Sequence, residues 1–120
     1  MSTANLPDLA RRYFAAYETK DRAVVDGLLS DDFTFTSPRD DHIGRLAYFE
    51  RCWPNSVNVR TIAIETLCEH GPDVFVRYLQ VLLTGAEFRN IERLRFAGGK
   101  LAEVDVYFGR TIKEASQEKR

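Results

Sequence analysis

The fold is decided by residues 57–108, VNVRTIAIETLCEHGPDVFVRYLQVLLTGAEFRNIERLRFAGGKLAEVDVYF. Val57 to Glu69 is rich in β-branched residues and reads as a long strand. His70-Gly71-Pro72-Asp73 punctuates it, and Val74 to Leu83 forms a second strand. Thr84-Gly85 is a tight hairpin leading to a third strand, Ala86 to Phe96. Ala97-Gly98-Gly99-Lys100 turns the chain again into Leu101 to Phe108. Connections this short cannot make parallel crossovers, so the four strands form an antiparallel meander. Leu101, Val104, Val106, Tyr107 and Phe108 place apolar groups on both faces of the last strand. One face is expected to pack on helices and the other to be covered by a second copy, giving a homodimer through the outer sheet face.

Upstream of the meander the period changes from two to 3.6. Leu6, Leu9, Tyr13, Ala16 and Tyr17 share one face of a helix over Pro7 to Thr19, with Pro7 in its first turn. Asp21 is suited to cap a second helix, Arg22 to Leu29. Phe33 to Ser37 alternates as a short strand stopped by Pro38, and Arg39 to Ile43 is expected to be a polar loop. Gly44 opens a third helix, Arg45 to Trp53, whose stripe is Leu46, Phe49, Cys52 and Trp53. The class is therefore α+β, in one domain with its core at about 7–109 and a polar tail over 110–120.

The bulk properties exclude several function classes. Of 120 residues, 44% are hydrophobic and 29% charged, which suits a globular domain able to bury a core without staples. The net charge is −1 with both signs interspersed, so no nucleic-acid partner is expected. No apolar run approaches a membrane span, and Met1 to Leu9 has neither a basic start nor an apolar centre. Cys52 and Cys68 lack the spacing of a zinc or redox motif. Two free thiols in the cytoplasm are the expectation, with no metal, and no Gly-rich phosphate loop is present.

Four stretches in order carry a family resemblance. They are Tyr13-Phe14-Ala15-Ala16-Tyr17 through Lys20-Asp21 to Asp31-Asp32-Phe33, Thr36-Ser37-Pro38 before Gly44, Phe88-Arg89-Asn90-Ile91-Glu92, and Gly99-Lys100-Leu101 through Phe108-Gly109. With the helix–helix–strand–helix–meander order, the chain resembles the nuclear transport factor 2-like superfamily and, within it, the SnoaL-like group. The resemblance implies a cone-shaped curved antiparallel sheet wrapped around the N-terminal helices, with a pocket between them for a small apolar molecule. It also implies chemistry without a cofactor, since polyketide cyclases, ketosteroid isomerases, dehydratases and epoxide hydrolases share the fold. Non-catalytic binding proteins share it too, so fold alone does not fix function.

Carried over position by position, the isomerase tyrosine resembles Tyr13 and the protonated acid resembles Glu92. The base position holds Ser37, which cannot accept a proton at neutral pH without a paired base. Asp40, Asp41 and His42 are the candidates to replace it. By parity Glu92 shares a face with Phe88, Asn90, Leu94 and Phe96, so it points inward and must be paired, hydrogen-bonded or protonated. Arg77 on the neighbouring strand is the expected partner in the structural reading. Tyr17, Phe33, Phe35, Ser37, Trp53, Arg77, Phe88, Asn90, Val106 and Phe108 are expected to contact the ligand. Parity turns Asp105 outward, and Cys52 reads as packing rather than as a nucleophile. The enzyme and binding readings both remain open on these residues.

Overall fold

In the computed structural model, which describes residues 5–115, Asn5 caps helix α1 (Leu6–Thr19) by accepting from the Asp8 N–H at 3.1 Å. Lys20 ends the helix in the left-handed region, with φ at 61°. The end of α1 is tied to the sheet, because Lys20 Nζ donates to the Val59 carbonyl at 2.5 Å and Glu18 Oε2 accepts from the Ile62 N–H at 2.5 Å. Asp21 caps α2 (Arg22–Leu28) through the Val24 N–H. Then come β1 (Leu29–Ser37), β2 (Asp40–Gly44), α3 (Arg45–Arg51) and a short 3-10 helix, Trp53–Asn58. The meander follows as β3 (Val59–His70), β4 (Asp73–Leu82), β5 (Glu87–Ala97) and β6 (Lys100–Lys113).

The six strands form one sheet in the order β2-β1-β6-β5-β4-β3. The meander is antiparallel throughout, as its short turns require. The sheet as a whole is mixed, because β1 runs parallel to β6, with Leu29 opposite Leu101 and Phe35 opposite Val104. The connection between those two strands includes α3 and the rest of the meander, long enough for a parallel crossover. Register shifts at Ile64/Thr66 in β3 and at Phe88/Asn90 in β5 mark bulges of the kind that bend a sheet.

Three expectations need correction. The loop over Arg39 to Ile43 contains an edge strand, since Ile43 pairs with Phe35 and Asp40 with Ser37 around the two-residue turn Pro38-Arg39. An edge strand pairs on one side only, which lets β2 be polar. The third helix ends at Arg51; Tyr48, outside the expected stripe, is fully buried beside the expected Phe49, while Leu46 is 72% exposed. The polar tail begins later than expected, because β6 runs to Lys113; residues 116–120 of that tail lie outside the described residues.

The core lies between the helices and the inner sheet face. Phe14 of α1 meets Tyr78 of β4 with Tyr13 edge-on to Phe14, Phe33 and Phe35 of β1 meet Tyr48, and Val74, Val76, Leu94, Leu101 and Val104 close the floor. Each such buried side chain stabilises the fold by roughly 1.5–3 kcal/mol before entropy is counted. The outer face carries ion clusters with Phe75, Ile91 and Tyr107 exposed among them. Among the described residues no helix is long and apolar enough to cross a membrane.

Candidate functional site

The helices do not fill the concave face of the sheet. A cavity of about 660 Å³ remains, large enough for a drug-sized ligand. Its walls include Tyr13 and Tyr17 from α1, Phe35 from β1, Phe88 from β5, and Val106 and Phe108 from β6. Glu92 also lines it.

Glu92 is placed inward by the alternation of β5, between Asn90 and Leu94, and is only 8% exposed. Its Oε2 accepts a 2.6 Å hydrogen bond from the Tyr78 hydroxyl, while its Oε1 is buried without a partner. Asn90 donates to Tyr78 Oη at 3.2 Å and accepts from the Gly109 N–H at 3.1 Å. That last contact depends on a close approach, because a Cβ on Gly109 would stand 2.0 Å from the Arg89 carbonyl oxygen. Only glycine fits where β6 crosses the β5 bulge. Burial pushes the Glu92 carboxyl up to about 7, against the opposing pull of the Tyr78 hydrogen bond.

The expected partner for this acid is elsewhere. In register, Val76 stands opposite Glu92 and Arg77 opposite Ile91, so Arg77 points to the outer face. There it pairs with Glu65 at 3.3 Å and does not line the cavity. Among the described residues no cationic group is paired with Glu92. Two other tyrosines were missed by the sequence reading. Tyr78 alternates with inward Val74 and Val76, a usable signal; Tyr48 lies off the stripe assigned to α3.

Tyr13 is buried, and its hydroxyl shares a 2.9 Å hydrogen bond with that of Tyr48, which also bonds the Tyr17 hydroxyl. Burial raises all three phenols above the ordinary tyrosine value, so they remain protonated donors at neutral pH. Trp53 stacks edge-on behind Tyr17 at 4.8 Å and Phe33 against Tyr48 at 5.1 Å. Both support the wall from the core and do not line the cavity.

The three loop candidates separate. Asp40 lines the cavity directly across the hairpin from Ser37, which lines it too. Asp40 Oδ1 lies 2.5 Å from Arg51 in an ion pair, and its side chain is 10% exposed. Asp41 and His42 are exposed and bond each other at 2.6 Å, which raises the His42 pKa; neither lines the cavity. Cys52 is pushed up to about 11 by burial and is a poor nucleophile. Asp105 is turned to the outer face and bonds Arg93. Among the described residues no group of three or more His, Cys, Asp or Glu could hold a metal ion.

The geometry agrees with comparisons to known proteins. The model of the SnoaL-like domain family matches residues 10–104. No curated protein sequence matches the chain. Among solved structures, an NTF2-like protein of unknown function from Cytophaga hutchinsonii superposes with a TM-score of 0.72 at 20% identity, covering 89% of this chain and 92% of that one. A protein with a ketosteroid isomerase-like fold from Catenulispora acidiphila, in complex with trimethylamine, gives 0.71 at 14% identity, with 89% and 88% covered. An LEH-like epoxide hydrolase from M. tuberculosis gives 0.71 at 17%, with 84% and 80% covered. At these identities the likeness shows the fold.

Proposed function

The chain belongs to the SnoaL-like domain family, and we propose that it catalyses cofactor-independent proton transfer on a small apolar or polycyclic carbonyl compound, as an isomerase, cyclase or dehydratase. One observation carries this reading. Glu92 presents a buried, unpartnered carboxyl oxygen in a cavity with aromatic walls, and its pKa of about 7 suits both giving and taking a proton at neutral pH. In this reading protonated Glu92 donates to the substrate oxygen as charge develops there. Tyr13 and Tyr17 are the second donors, held by Tyr48. Asp40, which lines the cavity opposite Ser37, is the base in this reading, since Asp41 and His42 are exposed and do not line the cavity.

The test is turnover on a panel of small cyclic ketones and enones. Glu92→Gln and Tyr13→Phe should each reduce it tenfold or more, about 1.4 kcal/mol in barrier, with folding retained. Unchanged turnover in a folded Glu92→Gln protein would refute the assignment. A second reading is a non-catalytic binding module, favoured by the serine at the base position and by the Arg51 pairing of Asp40. It expects ligand retention by the purified protein with no turnover of any panel member.

We also propose a homodimer through the outer face. Phe75, Ile91 and Tyr107 are exposed there, and the charges around them are already neutralised within the face. Light scattering should give twice the 13.8 kDa chain mass, and a 13.8 kDa particle would refute it.

A further inference from the structure

The cavity has four charged side chains in its lining: Arg39, Asp40, Arg51 and Glu92. Two of them cancel, because Arg51 pairs with Asp40 at 2.5 Å. Asp41, the other acid near Arg39 in sequence, is held by His42. Glu92 lies within the sheet's concave face and is buried. Arg39 is left over. It stands on the exposed hairpin turn between β1 and β2, and among the described residues its guanidinium has no carboxylate partner. It lies over the ring of Phe108, 5.7 Å from the centroid, and that ring is 52% exposed while also lining the cavity. The remaining polar groups along the wall include Asn55, Asn58, Gln80 and Thr111, all uncharged.

This arrangement is asymmetric along the cavity. Inside is a buried carboxyl group that lines the cavity; at the exposed turn is a cation over an aromatic ring. We propose that the ligand is an apolar acid: a hydrocarbon body with a polar oxygen at the Glu92 end and an anionic group, a carboxylate in the first instance, at the outer end, recognised by Arg39 over Phe108. The guanidinium offers a planar, multiply donating face that matches a carboxylate or sulfonate. A neutral ligand of the same shape gains nothing from it. The inference rests on the reading of the cavity as an apolar ligand site and adds the charge of the ligand.

Two dyes with one ring framework separate the terms. 8-Anilinonaphthalene-1-sulfonate carries an anion, and N-phenyl-1-naphthylamine lacks it. Fluorescence titrations would be run on the wild-type protein and on Arg39→Gln, with near-UV circular dichroism confirming that the fold is unchanged. Arg39→Gln should weaken the sulfonate dye about threefold to fivefold, the scale of an exposed charge pair, and leave the neutral dye unaffected. Raising the salt concentration should weaken only the sulfonate dye on the wild type. The two dyes should displace each other. Equal weakening of both dyes, no weakening of either, or a failure to compete would overturn the role of Arg39 and leave the cavity reading standing. Failure of both dyes to bind the wild type would remove the cavity reading and this inference together.

Discussion

The two faces of the sheet hold the same kind of group, a carboxyl, in two different states. On the inner face Glu92 is 8% exposed, accepts from the Tyr78 hydroxyl and has no cation paired with it among the described residues; its pKa is raised to about 7. On the outer face Arg93 and Arg95 reach across to Asp73 of β4, which is 7% exposed. The Arg95 hydrogen bonds and the Arg93 charge hold that carboxyl below its ordinary value. The two residues expose similar fractions of their surface, but their surroundings differ: Glu92 lies among the apolar groups of the interior, whereas Asp73 lies beside arginines that keep contact with water. Deep burial without a guanidinium raises the one, and two guanidinium groups lower the other. Asp73 ties two strands together, whereas Glu92 costs the fold stability whenever it ionises. A group that weakens the fold at neutral pH while lining a cavity fits a functional role better than a structural one.

The largest way to break this contrast is to remove the inner charge. Glu92 has a folded pKa near 7 and an unfolded one near 4.5, so the folded state holds its proton over that interval. The stability that proton confers is complete below pH 4.5 and is lost as pH rises through 7. Glu92→Gln, which cannot ionise, should therefore be more stable than the wild type at pH 8, by up to about 3 kcal/mol in a urea melt, with the difference vanishing near pH 4.

A second change makes the inner face resemble the outer one. Val106 stands directly across from Glu92 on β6 and lines the cavity. Val106→Lys should bring a cation to the acid and lower its titration midpoint by about one to three units, read by carboxyl NMR. Proton-transfer turnover should fall with it.

The converse change acts on the outer face. Asp73→Asn should cost about 1–2 kcal/mol at pH 7, less than a fully buried pair because both arginines keep contact with water. The Asp73 pKa is lowered, so its contribution is present at neutral pH and disappears as pH falls through the folded value. Wild-type and Asp73→Asn melts should converge in acid.

The smallest effect is expected from Tyr78→Phe, which deletes the 2.6 Å hydrogen bond to the Glu92 carboxylate. Since that bond opposes the upward shift, its loss should raise the Glu92 midpoint further, by less than a unit, and cost about 1 kcal/mol of stability.

The contrast was partly legible in the sequence. Leu94 and Phe96 fix the parity of β5, and that parity alone turns Glu92 inward. Parity also turned Asp105 outward, where it bonds Arg93. The missing cation was not legible from β5. It depends on β4, where Val74, Val76 and Tyr78 take the inner face and carry Arg77 to the other side. Applying alternation to β4 would have excluded Arg77 and found Tyr78. Strand β2 left no such signal, because Asp40, Asp41 and His42 are all polar and the strand is held at the edge by backbone pairing with β1. Hydrophobic periodicity cannot report an edge strand without a buried stripe. The choice among Asp40, Asp41 and His42 was closed to sequence for the same reason, as the hairpin register decides which one faces the cavity.

Carbon-detected NMR titration of the glutamate side-chain carboxyls, with Glu92→Gln to assign the resonance, tests the central claim most directly. One glutamate should titrate with a midpoint near pH 7 and vanish in the variant. If the resonance lost in Glu92→Gln titrates at the ordinary value of about 4.3, the carboxyl is solvated or paired and the account is wrong.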